Sequence, residues 1–185
     1  MVDAALAILR EEGAAALTAR AVAERAGTAV GTVYLLFGSL EALKLEANAV
    51  TMRLLRNHLT DELAAGRSDE PADRLICLAD AYLVFARANH HAWAAIFDRR
   101  TIEPPPAIAA DIAALFAIID GVLAAIEGLD PDAIPVVSKA LWSSVHGMVY
   151  LGELGGLGPV GRDDVPAMVE TLVRAAVRGL RVGSN

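Results

Sequence analysis

The sequence is poor in the features that mark secreted, metal-binding or membrane-spanning chains. Its 185 residues include a single cysteine, Cys77, so it offers neither an intrachain disulfide nor a pair of thiols for a metal. The amino end shows no basic segment followed by an apolar core and a small-residue cleavage site, so secretion is not expected. The most apolar stretch, residues 107–128, is interrupted by Asp111, Asp120 and Glu127. We therefore expect no membrane association and a cytoplasmic location.

Positive charge is also scarce. The chain carries 16 Lys and Arg against 23 Asp and Glu, a formal net charge of −7. This balance argues against a protein whose whole surface binds nucleic acid, but it allows a small DNA-contacting face on an acidic body. The sequence shows no paired acid and base, no nucleophile with a base at hand and no metal-ligand cluster. We expect a non-enzymatic protein without metal or cofactor.

What the chain does have is helical periodicity throughout, with 55% apolar residues and no strand-like alternation. Start and stop signals predict an all-α fold of nine helices joined by short turns. Thr18, Thr28 and Ser39 are the predicted N-caps of the second, third and fourth helices, and residues 155–161 are a predicted connector before the last helix. A change in composition predicts two domains, residues 1–46 and 47–185.

Residues 18–37 have the pattern of two short helices joined by a tight turn with a glycine, Gly27, at the bend. This is the geometry of a helix-turn-helix, whose second helix lies in a major groove of DNA. The hydroxyls of Thr32 and Tyr34 suit phosphate oxygens, whereas Ala29 and Val30 offer only apolar contact, for example to a thymine methyl group. The same pattern also fits two packed amphipathic helices, so the geometry alone leaves both interpretations open.

The spacing of many residue types within this segment is specific. It contains Thr18, Val22-Ala23, Ala26-Gly27, Gly31-Thr32-Val33-Tyr34, Phe37-Gly38-Ser39, Glu41 and Leu43. Over about residues 3–50 the chain resembles the TetR family of bacterial one-component regulators. The resemblance implies a nine-helix TetR-like fold with an N-terminal three-helix DNA-binding module, a homodimer built on the last two helices, and a carboxy-terminal pocket whose ligand releases the DNA.

The resemblance also implies roles for individual residues. By position, the family touches DNA at Thr18, Arg20, Thr28, Ala29, Gly31, Thr32 and Tyr34. It packs its three-helix core at the positions of Val22, Ala26, Val33 and Phe37. The function expected from it is a ligand-responsive transcriptional repressor that binds palindromic double-stranded operator DNA as a homodimer. The pocket is expected among helices five to eight, and the scarcity of basic residues there predicts a small apolar, neutral or cationic effector.

The chain departs from the family pattern in its charges. Leu40 stands where the family usually has a lysine, and residues 1–46 hold four basic residues against six acidic ones. Members also commonly begin with a basic arm before the first helix. Either such an arm is missing at the start of this sequence, which we favour, or operator affinity is modest with a shallow salt dependence. The alternative function is a helical small-molecule sensor that has lost DNA binding.

The carboxy-terminal part offers a shorter resemblance and several open choices. Trp142-Ser-Ser-Val-His146-Gly147 resembles the Trp-His-Gly motif of one TetR subgroup.

His146 fits either a ligand pocket or a core or dimer face, and Asp120 fits either recognition of a cation or a solvated helix face. His90 and His91 are expected at the surface, since no carboxylate or thiol stands at metal spacing. We expect the ligand pocket to be lined by Tyr82, Phe85, Trp93, Phe97, Phe116, Trp142 and His146.

The last two helices each carry an apolar stripe. A monomer has no further chain to cover both, so they are predicted to form a four-helix bundle with a second copy. The predicted dimer interface consists of Ala140, Ser144, Val169, Leu172, Val173, Ala176 and Leu180.

Overall fold

The computed structural model describes residues 1–98, 103, 106–154 and 161–182, and in this part of the chain it contains nine α-helices and no strand. The helices are α1 Val2–Glu11, α2 Ala19–Arg25, α3 Val30–Phe37, α4 Leu40–Ala65, α5 Pro71–Ala88, α6 His90–Ile96, α7 Pro106–Leu123, α8 Ile134–Leu154 and α9 Val165–Val182. Short 3-10 turns occupy Ala14–Ala16 and Pro131–Ala133. The predicted all-α fold of nine helices is confirmed. Most of the predicted connector, residues 155–160, lies outside the described residues.

The chain forms two compact units. Unit 1 comprises residues 1–57 and 88–113, and unit 2 comprises residues 58–87 and 114–185. The helices α4 and α7 each contribute residues to both units. These units are defined by contacts between residues in space, whereas the predicted boundary at residue 46 rests on composition. That boundary stays a prediction.

Two of the three predicted helix caps are present. The Thr18 hydroxyl accepts a hydrogen bond from the amide of Ala21 at 3.1 Å, and the Ser39 hydroxyl accepts one from the amide of Ala42 at 3.0 Å. The prediction that Thr28 caps α3 is wrong, because the N-cap is Ala29 and no side chain caps it. The Thr28 amide closes the end of α2 by donating to the Ala23 carbonyl at 2.9 Å, which holds Thr28 in the turn.

The core of unit 1 lies between the first helices of the chain and α6. Its fully buried large side chains include Ile8, Leu9, Val22, Val33 and Leu43. The predicted core positions Val22 and Val33 are confirmed, and Phe37 is half-buried against the same cluster.

Ala26, the fourth predicted core position, is exposed, so that prediction is wrong. The helix α2 ends at Arg25, and Ala26 is its C-cap just beyond the packed face. Ala23, one turn earlier, is buried in its place.

The core of unit 2 depends on a valine stripe along α9. Val165, Val169, Val173 and Val177 recur every four residues, and all four are buried within the single chain. A stripe with this spacing occupies one side of a helix. The expectation that a monomer leaves Val169 and Val173 uncovered is therefore wrong, because the protomer's own helices cover them.

An ion-pair cluster centred on the buried side chain of Glu153 ties together α5, α8 and the segment before α9 in unit 2. The Glu153 side chain is 2% exposed and contacts Arg87 at 2.7 Å and Arg162 at 2.8 Å. Arg87 also donates to the Arg162 carbonyl at 2.7 Å. Burial alone would raise the pKa of Glu153, but the hydrogen bonds and positive charges of the two arginines outweigh it and lower that pKa.

None of the described helices is both long enough and apolar enough to cross a lipid bilayer.

Candidate DNA-binding face and ligand cavity

The turn between α2 and α3 is held by its backbone. Gly27 has φ of 65°, in the left-handed region that favours glycine. Its amide donates to the Glu24 carbonyl at 3.2 Å, and the next amide bonds to Ala23. These bonds end α2 sharply and let α3 start three residues later. Two short helices with this turn have the helix-turn-helix geometry predicted from the sequence.

The seven residues expected to touch DNA all reach solvent on unit 1. Thr18, Arg20, Ala29, Gly31 and Tyr34 are exposed, while Thr28 and Thr32 are half-buried and joined by a 3.1 Å hydroxyl hydrogen bond. Val33 turns the opposite side of α3 into the core. The structure thus leaves the outward side of α3 open, and contact of these residues with DNA stays a prediction.

Two further residues of α3 belong to this open side and were missed. Leu35 is 83% exposed and Leu36 is 62% exposed, so they are highly accessible apolar side chains. A sequence signal existed, since Leu35 lies one helical turn after Gly31 and Thr32. Their apolar character pointed instead to the core.

The basic residues of the first 46 positions are partly engaged with acids. Arg25 pairs with Glu11 at 2.6 Å, and Lys44 pairs with Asp98 at 2.8 Å. For Arg10 and Arg20 the described part of the chain records no ion pair, and both are exposed. Few cations therefore face solvent near the helix-turn-helix.

Unit 2 contains a small apolar cavity of about 60 Å³. It is lined by Leu59, Leu75, Leu78, Ala79, Tyr82, Ile119, Leu141, Trp142, Val145 and Val173. No charged side chain is among them. Of these residues only Tyr82 and Trp142 were predicted to line a pocket, because periodicity alone does not distinguish a filled core from one with a void.

An aromatic cluster borders this cavity. The Trp142 ring stacks on His146 with centroids 5.0 Å apart and contacts Phe116 edge-on at 5.6 Å. The hydroxyl of Tyr82 and Nδ1 of His146 are hydrogen-bonded at 2.7 Å, and the Tyr150 ring contacts the imidazole with centroids 5.8 Å apart. Burial lowers the pKa of His146, so the ring is neutral at pH 7. The cluster therefore presents polar atoms without a formal charge.

The seven residues predicted to line a pocket are divided between the units. Tyr82 and Trp142 line the cavity in unit 2, and Phe116 and His146 contact Trp142 there. Phe85 is buried in the same unit against His58.

Trp93 and Phe97 belong to unit 1. Trp93 is fully buried and packs edge-on against Phe97 at 5.5 Å. The structure does not place these two rings in the lining of the unit 2 cavity.

The outward side of α8 carries small residues between two larger apolar ones. Val136, Ala140, Ser144 and Tyr150 are exposed, and apart from the adjoining residues and backbone of α8 no described atom lies within 4 Å of a Cβ placed on Gly147. On α9, Leu172, Ala176 and Leu180 are half-buried beside the valine stripe. Five of the seven residues predicted for a dimer interface thus remain accessible to some extent, namely Ala140, Ser144, Leu172, Ala176 and Leu180.

The remaining candidate groups differ in their surroundings. One carboxylate oxygen of half-buried Asp120 has no hydrogen-bond partner among the described residues. His90 is half-buried and His91 is exposed at the start of α6. Within the described ranges, no cluster of three histidine, cysteine or acidic side chains could hold a metal ion.

A helix-turn-helix with an open outward face, in one chain with a helical unit that contains an apolar cavity, is typical of helical DNA-binding regulators. Two family profiles match the sequence: bacterial regulatory proteins of the tetR family over residues 1–47, and the tetracyclin repressor-like C-terminal domain over residues 75–176. The chain belongs to the TetR family, whose members are ligand-responsive DNA-binding transcription regulators. Both profiles describe regulatory domains, which indicates a transcription factor rather than an enzyme. Neither description specifies the Trp-His-Gly subgroup, which stays a prediction.

Solved structures share the fold at low sequence identity. A protein of unknown function from Rhodococcus sp. RHA1 is 20% identical with a TM-score of 0.77, covering 97% of this chain and 93% of its own. A TetR-family transcriptional regulator from Streptomyces coelicolor is 22% identical with a TM-score of 0.71, covering 97% and 96%. The regulator FadR from Bacillus subtilis, in complex with stearoyl-CoA, is 18% identical with a TM-score of 0.69, covering 96% of each chain. Among curated protein sequences, none matches this chain.

Proposed function

We propose that this protein is a transcriptional repressor that binds a palindromic operator as a homodimer and releases it when a small effector binds. The observation that carries the proposal is the open outward side of α3, on which Gly31, Thr32 and Tyr34 reach solvent while Val33 anchors the helix in the core. A helix held in this way can enter a major groove without losing its own packing.

The proposed DNA contacts divide by chemistry. The hydroxyls of Thr18, Thr28, Thr32 and Tyr34 and the guanidinium of Arg20 suit phosphate oxygens, which position the protein without reading sequence. Ala29 and Gly31 allow the backbone of α3 to approach the groove closely. In this proposal, residues 1–46 form the DNA-binding domain and residues 47–185 the ligand-binding and dimerisation domain.

The proposed dimer uses the outward side of α8 and the flank of α9. Glycine within a helix costs about 1 kcal/mol relative to alanine, and the described residues of the protomer give no packing reason for Gly147 or Gly179. Close approach of a second helix would supply that reason. The interface would contain Ala140, Ser144, Leu172, Ala176 and Leu180, but not the buried valines of α9.

The proposed effector is small, mainly apolar and not polyanionic. The cavity lining has no charged side chain, and among the described residues the polar side-chain atoms of the lining and its aromatic border belong to Tyr82, Trp142, His146 and Tyr150. A phosphorylated ligand would find no cation there to replace the water that it loses. The cavity of about 60 Å³ must widen to admit more than a very small molecule. The ligand would favour the released state only by binding it more tightly than the DNA-bound state.

Two titrations test the proposal. The first adds the protein to a fluorescent duplex from the region upstream of its own gene and to a scrambled duplex of equal length. We expect tighter binding to the first. The second follows tryptophan fluorescence with neutral apolar compounds and, as the contrasting arm, with stearoyl-CoA.

The expected response in the second titration comes from Trp142, so a Trp142→Phe variant should lose it while a Trp93→Phe variant keeps it. A neutral compound that gives this response and also releases the fluorescent duplex of the first titration supports the proposal. A response confined to stearoyl-CoA would contradict the proposed effector class.

The alternative is a helical sensor that has lost DNA binding. It is favoured by one observation, the pairing of Arg25 and Lys44 with acidic side chains, which leaves few cations near the helix-turn-helix. A protein that binds an apolar ligand in the fluorescence titration but discriminates no duplex, even at low salt, would establish this alternative instead.

A further inference from the structure

The outward side of α3 is unusually apolar for a surface that is to contact a polyanion. Leu35 is its most exposed large side chain, with Leu36 and Val30 also accessible. Viewed along the helix, Leu35 lies opposite buried Val33 and beside Gly31. Leu35 thus stands at the centre of the side that would approach a groove.

The side chains of α3 limit what this helix can read. Residues 30–37 are Val-Gly-Thr-Val-Tyr-Leu-Leu-Phe, without an amide, a carboxylate or a cation. Guanine is read by arginine or lysine, adenine by asparagine or glutamine, and cytosine by an acidic side chain. None of these is present. The hydroxyls of Thr32 and Tyr34 bond to phosphates or to more than one base, so they discriminate weakly.

One feature of the major groove remains readable by such a helix. The C5-methyl group of thymine is the one apolar group that the four base pairs present there, and it is recognised by apolar contact. A leucine that loses water against this methyl group gains the free energy of burying both surfaces. The hydroxyls beside it would meanwhile fix the helix on the phosphates.

The size of the patch argues against a protein partner. A stable protein interface commonly involves 20 to 30 residues on each side, whereas α3 has eight residues and turns two of them, Val33 and Phe37, toward the core. Apolar residues on so short a helix, continuous with the hydroxyls of the proposed DNA contacts, suit a groove better than a second protein.

We propose that Leu35 reads thymine methyl groups in the major groove, so that the operator carries essential thymines at the positions facing the middle of α3. This inference rests on the proposed DNA-binding function and adds the chemistry by which sequence is recognised.

The test begins with DNA chosen by the protein itself. The full chain selects duplexes from a randomised library, and each thymine of the selected sequence is then replaced by deoxyuridine, which lacks only the methyl group. At one or two positions in each half-site we expect the affinity to fall roughly three- to fivefold per methyl. Elsewhere the replacement should have no effect.

Matched variants assign the effect to one side chain. Leu35→Ala should weaken binding to the thymine duplex and no longer distinguish it from the deoxyuridine duplex at those positions. Leu54→Ala, which truncates an accessible leucine on α4 outside this face, should retain the full distinction. Non-additivity between the protein and DNA changes is the signature of direct contact.

The possible outcomes distinguish a failure of thymine reading by Leu35 from a failure of DNA binding itself. A protein that enriches a sequence but tolerates deoxyuridine throughout overturns thymine reading and leaves DNA binding intact. A protein that enriches no sequence overturns the proposed function, and this inference with it. If Leu35→Ala changes only the oligomeric state, the patch docks another copy of the chain and the inference is wrong.

Discussion

Tyr34 places a phenolic hydroxyl on the outward side of α3, with about half of the residue exposed. Replacing it by phenylalanine removes the hydroxyl and keeps the ring. We expect Tyr34→Phe to weaken operator binding about tenfold, since a hydrogen bond to a charged group contributes about 1.5 kcal/mol or more. The preference between operator and scrambled DNA should change little, because a phosphate contact carries no sequence information. Fluorescence anisotropy measures both quantities.

Gly31 supplies the control for this surface. Its Cβ position is open, so Gly31→Ala and Gly31→Glu should both fold. Only the glutamate brings a negative charge toward the phosphates, and it should abolish binding that the alanine variant retains. Wild-type affinity in Gly31→Glu would show that α3 does not face the DNA.

Glu153 holds two arginines in unit 2 from a buried position. Glu153→Gln removes the charge and should lower the free energy of unfolding by about 2 kcal/mol at pH 7, less than for a fully buried pair because both arginines are partly exposed. Because folding lowers the pKa of Glu153, the stabilisation is complete above the unfolded-state value of about 4.3 and is lost as the pH falls through the folded-state value. Urea unfolding at pH 7 and at pH 3 should therefore show the two proteins converging in acid.

The matched control is Glu170→Gln on α9, which breaks an exposed pair with Arg174. It should change stability far less than Glu153→Gln does, because solvent screens an exposed pair. Equal losses for the two substitutions would contradict a special contribution of the Glu153 cluster.

Single residues also show what sequence reasoning can and cannot reach. Thr18 and Ser39 were identifiable as caps because a hydroxyl just before an apolar helix has a local role. The environment of Glu153 was not identifiable, since Arg87 lies 66 positions away and only the fold brings them together. Leu35 was missed because its apolar character suggests the core, although its place one helical turn after Gly31 and Thr32 marks the outward side of α3.

At the scale of elements, α9 has two apolar sides with different partners. The valine stripe packs within the protomer, whereas Leu172, Ala176 and Leu180 beside it remain half-buried. Periodicity identified an amphipathic helix but merged these two sides into one dimer stripe. The burial of Val169 and Val173 in the structure is what distinguishes the two sides. A helical pattern gives the width of an apolar face, but it does not say which part of that face packs within the protomer.

This separation leads to a prediction about α9. Ala176→Asp should leave the helical content unchanged and yield monomers, since two unpaired charges would meet near the proposed two-fold axis. The monomer should also lose operator binding, which needs two half-sites. Light scattering and circular dichroism test the first part, and DNA titration tests the second.

Val173→Asp serves as the contrasting variant, because it puts a charge into the protomer's own core. It should unfold unit 2 rather than only dissociate a dimer. A folded dimer from Ala176→Asp would exclude this flank of α9 from the interface.

At the scale of the whole molecule, charge sets how DNA binding responds to salt. Of the four basic residues in positions 1–46, Arg10 and Arg20 have no recorded ion pair within the described residues, which gives four such arginines in a dimer. Each phosphate neutralised contributes about −0.9 to the slope of log affinity against log salt. We expect a slope of about −4 or shallower for this chain. A slope near −10 would show that cations elsewhere on the protein engage DNA.

Light scattering on the protein alone and on its complex with a selected palindromic duplex tests the proposed two-fold assembly on DNA. Each chain has a mass of 19.4 kDa. We expect about twice this mass for the protein at micromolar concentration and two chains for each duplex. A protein that runs as a monomer under these conditions, or that binds one chain for each palindrome, would contradict it.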